Sequence, residues 1–151
     1  MHRIWSALLL LLCLAAPVEA QDHPVRIAIL LDDLGYNRTT GERALQLPGA
    51  VSVAIIPFTP HARALAQTAS EQGRDVLIHM PMESTDPLRR LDQGGISLAQ
   101  DEKEIRQRVN AALRAVPNAI GMNNHMGSQI TIDPVIMSWV MDEVKDTPLF
   151  Y

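Results

Sequence analysis

The sequence predicts an α/β domain with a parallel sheet, on the strength of three observations. Short apolar runs recur along the chain, each separated from the next by a helix-like segment. The runs are almost uninterrupted rather than alternating, as parallel strands covered on both faces are. Finally, three of them end on polar side chains: Asp33 closes Ile27-Ala28-Ile29-Leu30-Leu31-Asp32, His79 closes Val76-Leu77-Ile78, and His125 closes Ala119-Ile120-Gly121-Met122-Asn123-Asn124.

The elements follow in order. The first strand is expected at Val25–Leu31, with a short helix capped by Thr39 or Thr40 and ended by Pro48-Gly49. Val51–Ile56 is the second strand, stopped by Pro57. Thr59 and Pro60 open a helix that Gly73 closes. Val76–His79 is the third strand. Residues 81–95 carry two prolines, Gly94-Gly95 and scattered charge, and read as a long loop with a functional role. Ser97 and Gln100 have capping-box spacing for a helix through Ala115, with Asp101 and Glu102 in its first turn. Ala119–Met122 is the fourth strand, and Asp133-Pro134 starts a helix to about Lys145. Leu149–Tyr151 reads as the start of a fifth strand, so the chain is expected to be a fragment with an exposed sheet edge and poor solubility. Four strand–helix units and the start of a fifth fit an incomplete β/α-barrel or an open doubly wound sheet. Both place active sites at the carboxyl ends of the strands.

Residues 1–20 read as a secretion signal: a weakly basic start at His2 and Arg3, a leucine-rich core, and small residues at Val18-Glu19-Ala20. The alternative is an uncleaved anchor, for which the apolar stretch is short. The single cysteine, Cys13, lies in this segment, leaving residues 21–151 as one domain without thiol or disulfide chemistry. The expected compartment is the bacterial periplasm, with no stable membrane span after cleavage. A net charge of -4 and the lack of any basic tract argue against nucleic acid as a partner.

If the strands are neighbours, Asp33, His79 and His125 emerge at one end of one sheet, a carboxylate and two imidazoles suited to a catalytic divalent metal. Adjacent Asp32 and Asp33 repel unless a cation sits beside them, and alternation along a strand points them different ways. One can then ligate while the other accepts a proton from water. Glu83 is a spare ligand, an acceptor for an imidazole N–H, or loop surface. Asn123, Asn124 and Ser128 are placed to bind substrate hydroxyls or orient ligands. Each motif also has a plainer reading: a solvated Asp turn, a buried hydrogen-bonded histidine, an Asn/Gly/Ser turn. Met122, Met126, Met137 and Met141 read as core or pocket lining, and Trp139 as core.

The Leu31-Asp32-Asp33-Leu34-Gly35, His79-Met80-Pro81-Met82-Glu83 and Asn123-Asn124-His125-Met126-Gly127-Ser128 segments resemble, in order and separation, the divergent polysaccharide deacetylases. The resemblance runs from about Val25 to Tyr151. It implies a β/α-barrel of the deacetylase type in an exported protein, and metal-dependent removal of N- or O-acetyl groups from an envelope polysaccharide. By position, Asp33 resembles the metal-ligating aspartate and Asp32 the general base, with His79 and His125 as metal histidines and Zn2+ as the expected ion. Ordinary polysaccharide deacetylases carry both histidines in one motif; here they are far apart in sequence. Family members continue with an Asp-Ser-Arg-Thr-like segment past the position of Tyr151. Two rival functions stand beside this one: a non-catalytic carbohydrate-binding envelope protein that keeps the metal for structure, and another metal hydrolase such as a phosphoesterase.

Overall fold

The computed structural model describes residues 25–151. The expected signal peptide and Cys13 lie outside the described residues. Four strands alternate with four helices: β1 (Ile29–Leu34), α1 (Arg38–Leu45), β2 (Val51–Ile55), α2 (Ala62–Glu71), β3 (Val76–Met82), α3 (Glu102–Ala115), β4 (Gly121–Met126) and α4 (Pro134–Lys145). All pairings are parallel and the order across the sheet is β1-β2-β3-β4. A doubly wound sheet reverses its order at a switch point; this one advances one strand at a time. With right-handed crossovers, that advance puts every helix on the same side. The result is half of a β/α-barrel, with a core of Val53, Ile55, Ile78, Met80, Met82, Ile105, Val109, Met122 and Val140 between sheet and helices. Phe150 extends the series, bridging Gly121 in parallel beyond β4. Its carbonyl accepts from the Met122 amide at 2.8 Å.

The apolar runs misplaced the strand ends. β1 starts at Ile29, and Val25 and Ile27 are almost fully exposed. Ile29 and Leu30 stay partly exposed because β1 is an edge strand, paired on one side only among the described residues. At their carboxyl ends the strands run further than the apolar side chains do. β3 continues through Met82 and β4 through Met126, so His79, expected as the last residue of its strand, lies inside β3, and Asn123, Asn124 and His125 lie within a strand rather than after one. Backbone ladders do not require apolar side chains, and strand ends that face a site keep pairing while turning polar. β3 tolerates Pro81 because its pairing with β2 ends at Ile78, and the Pro81 carbonyl is still used by the Ile96 amide at 2.9 Å.

Helix starts differ by a few residues, for local reasons. Asn37 caps α1, accepting from the Thr40 amide at 2.9 Å. Thr59 caps no helix: its hydroxyl donates to the Ile56 carbonyl at 2.7 Å, and α2 starts at Ala62. Asp101 and Glu104, not Ser97 and Gln100, form the capping box of α3. Asp133 caps α4 as expected, its carboxylate accepting from the amides of Val135 and Ile136. Met122 is buried and Met137 and Trp139 pack on the core, whereas Met141 faces outward, 39% exposed.

Gly35 turns the chain out of β1 at φ +128°, a conformation that side chains disfavour. A Cβ there would lie 2.1 Å from Thr59 Oγ1 and 3.2 Å from the Ile56 carbonyl oxygen. Gly35→Ala is therefore expected to cost about 1–3 kcal/mol in stability of the full-length protein. Urea unfolding checks this; an unchanged midpoint would mean the turn relaxes without cost.

Candidate metal centre

Sheet register decides which polar side chains meet. His79 lies opposite Asn123, and Pro81 opposite His125. Asn123 and His125 are two residues apart on β4 and so share a face, the face His79 presents from β3. Asp32 and Asp33 arrive from β1 through an irregularity: β1 advances from Leu31 to Leu34 while β2 advances only from Val53 to Ile55. The extra residue is a bulge, and Asp33 sits in it with φ 64°. Aspartate tolerates this left-handed conformation better than most residues. The division between the two carboxylates thus comes from a bulge rather than from strand alternation.

Three donor atoms converge. Asp33 Oδ1 lies 3.0 Å from His79 Nε2 and 2.8 Å from His125 Nδ1, and the two ring nitrogens are 3.2 Å apart. Tetrahedral zinc with bonds of about 2.0–2.1 Å would separate its ligand atoms by about 3.3 Å, so the triangle has nearly the required size. The outward nitrogens each face an oxygen. His79 Nδ1 donates to Asn123 Oδ1 at 2.8 Å, and His125 Nε2 lies 3.2 Å from the Asp92 carboxylate at Oδ2. A neutral imidazole carries one proton. With those protons outward, three lone pairs face one another, His79 being 4% exposed and the only buried polar or charged residue among those described. A cation between them removes that repulsion. Asp33, His79 and His125 therefore fit a divalent ion; His79 gives its other N–H to an amide oxygen and His125 turns its other nitrogen toward a carboxylate, the usual surroundings of metal-ligating imidazoles.

Asp32 stays outside the triangle. Its Oδ1 accepts from Asn123 Nδ2 at 3.0 Å and lies 3.9 Å from His79 Nδ1. One carboxamide thus touches both the buried imidazole and the second carboxylate. The site lies on an open cleft of roughly 570 Å3 lined by Asp32, Asp33, Asn124, His125, Ser128 and Arg89, among others. Asn124 donates to the Met126 carbonyl at 2.6 Å, supporting a turn where Met126 and Gly127 both have positive φ. Ser128 Oγ accepts from the Thr85 amide at 3.0 Å, tying the loop after β4 to the loop after β3. Glu83 touches neither imidazole: its carboxylate accepts from the Leu98 amide at 2.8 Å, anchoring the loop after β3.

Asp92 and Tyr36 join the site without having been singled out in the sequence. The Tyr36 hydroxyl donates to Asp92 Oδ1, and this bond to the carboxylate, with some burial, pushes the phenol up to about 12. Asp92 is one of several charged residues in the long loop after β3, and Tyr36 lies a few residues past the expected strand end. The one local signal was Gly94-Gly95, which allows that loop to pack closely.

The profile of the divergent polysaccharide deacetylases matches residues 29–151. The chain belongs to that family. An uncharacterized protein of Haemophilus influenzae is 43% identical over 126 residues, covering 83% of this chain and 45% of its own length. The uncharacterized protein YibQ of Escherichia coli is 37% identical over 143 residues, covering 93% of this chain and 43% of its own. The chain thus spans less than half the length of these curated relatives. In fold it is similar to the crystal structure of the uncharacterized protein ATU2773 from Agrobacterium tumefaciens, with a TM-score of 0.79 and 20% identity, over 87% of this chain and 55% of that one. The fold of the described residues is thereby shared with part of a solved structure. Among the described residues no helix is long and apolar enough to cross a membrane.

Proposed function

We propose that the full-length protein is an exported, periplasmic, zinc-dependent hydrolase that removes acetyl groups from an envelope polysaccharide. The observation carrying this reading is the triangle of Asp33, His79 and His125, whose inward Oδ1, Nε2 and Nδ1 atoms lie within 3.2 Å of each other.

A divalent ion held there supplies Lewis-acid polarisation of the acetyl carbonyl and acidifies a water molecule. The chain's residues do the rest. Asp32 accepts the proton of the attacking water and can return it to the departing amine or alcohol. Asn123 holds one Asp32 oxygen, while the carboxylate remains 45% exposed. The same amide keeps His79 protonated on Nδ1, leaving Nε2 free toward the triangle. Asn124 and Ser128 line the open cleft, where polymeric sugar can lie across the strand ends without entering a closed pocket.

Acetate release from N- and O-acetylated glycans by the purified full-length protein tests the reading. Release is expected to disappear with a chelator and to return with Zn2+ at a stoichiometry near one. Stoichiometric metal without acetate release from any such glycan would favour a binding protein. Two metals per chain, with phosphate ester cleavage, would favour a phosphoesterase.

A further inference from the structure

The two histidines are held in different ways. His79 is packed in the sheet, its side chain 5% exposed, and Asn123 completes its orientation from the neighbouring strand. The His125 side chain stands nearer the cleft, 21% exposed, and packing alone restrains it less. Its ring can present the wrong nitrogen, or the right nitrogen protonated, and either would spoil the triangle.

Among the described residues, one carboxylate oxygen faces its outer nitrogen. Asp92 Oδ2 lies 3.2 Å from His125 Nε2, and a carboxylate can accept but not donate there. Asp92 belongs to neither histidine's strand. It comes from the loop joining β3 to α3, and that loop is built to hold it. The Gly95 amide donates to the Asp92 carbonyl at 3.0 Å, and Ile96 is fully buried and bridged to Met82. Gly94, at φ 78°, lies so close to the Phe58 ring that a Cβ would sit 2.3 Å from it. The second Asp92 oxygen accepts from the Tyr36 hydroxyl, three residues beyond the ligand Asp33. The Asp92 side chain is 20% exposed, with Oδ1 bonded to Tyr36 and Oδ2 turned to His125.

The geometry points to Asp92 as a positioning residue that, held by Tyr36, fixes the His125 ring with Nε2 protonated and Nδ1 open toward Asp33 and His79. This rests on the metal reading of the triangle. Tyr36-Asp92-His125 then joins the loop after β1, the loop after β3 and the end of β4 into one support. Asp33 and the anchor of that support leave the same strand end.

The test is Zn2+ affinity of the full-length protein, by chelator competition, with the visible absorption of the Co2+-loaded protein as a probe of ligand geometry. Asp92→Ala is expected to weaken Zn2+ roughly 10- to 100-fold and to shift the Co2+ bands. Asp92→Asn, which keeps an acceptor oxygen, should fall between Asp92→Ala and wild type. Tyr36→Phe should shift the bands in the same direction by less. A residue that merely braced the loop would change the unfolding temperature but leave affinity and spectrum at wild-type values, and that result overturns the proposal. If Asp92→Ala does not fold, Tyr36→Phe decides, since Tyr36 is 54% exposed and its loss spares the core; a wild-type spectrum there overturns it too. Failure of the metal reading looks different: wild type itself would then bind no stoichiometric metal, and both ideas fall together.

Discussion

Asp33→Ala in the full-length protein is expected to abolish stoichiometric metal binding, measured by elemental analysis after dialysis. Asp33 supplies the one negative charge of the triangle, and without it two neutral imidazoles at 3.2 Å remain to hold a dication. Its carboxylate is 67% exposed, so removing it leaves no core cavity. The backbone needs a control, because alanine is less comfortable than aspartate at φ 64°. Asp33→Gly supplies it, since glycine adopts that conformation freely. Both variants should lose metal while the glycine variant keeps near-native stability. His79→Ala and His125→Ala should lose metal as well, the former with a stability cost from its burial. Unchanged metal content in all of them would place the ion elsewhere.

Asp32→Asn should do the opposite: keep the metal and lose the reaction. The substitution preserves shape, and its carbonyl oxygen can still accept from Asn123 Nδ2. What it removes is the capacity to take a proton from water, worth roughly 10²–10⁴ in kcat. Acetate release by the Zn2+-loaded variant, compared at saturating substrate, checks this. A variant that turned over at the wild-type rate would remove Asp32 from the chemistry and pass the base role to another group in the cleft.

Much of this was legible in the sequence because strand-end chemistry is local. Uninterrupted apolar runs with helical spacers reported a parallel sheet, and the polar residues ending them, Asp33, His79 and His125, do converge. Strand ends were harder to place. The sequence does not distinguish a polar residue after a strand from one that continues its ladder, so the apolar run ends at Met122 although β4 runs to Met126. The bulge at Asp32-Asp33 left no pattern, because one inserted residue changes register rather than composition. Asp92 was hidden for another reason. Its partner His125 is reached through the fold of a long loop, and no periodicity encodes such a contact. Glu83 looked more suggestive than it is, since a carboxylate close behind a ligand histidine reads the same whether it faces the imidazole or, as here, a backbone amide.

β1 and β4 are the outer two of the four named strands, separated by three strand spacings. Laid flat, they would be about 14 Å apart, beyond the combined reach of an aspartate and a histidine. Yet Asp33 and His125 approach to 2.8 Å. Their contact is a chord drawn across an arc, possible only where the strands roll toward one another at their carboxyl ends. An ion on that chord would act as a tie between the first strand and the last. Whatever binds there favours the rolled sheet by as much as it binds that shape better than a flatter one. Curvature and occupancy are then a single equilibrium, and the same three side chains govern both shape and chemistry.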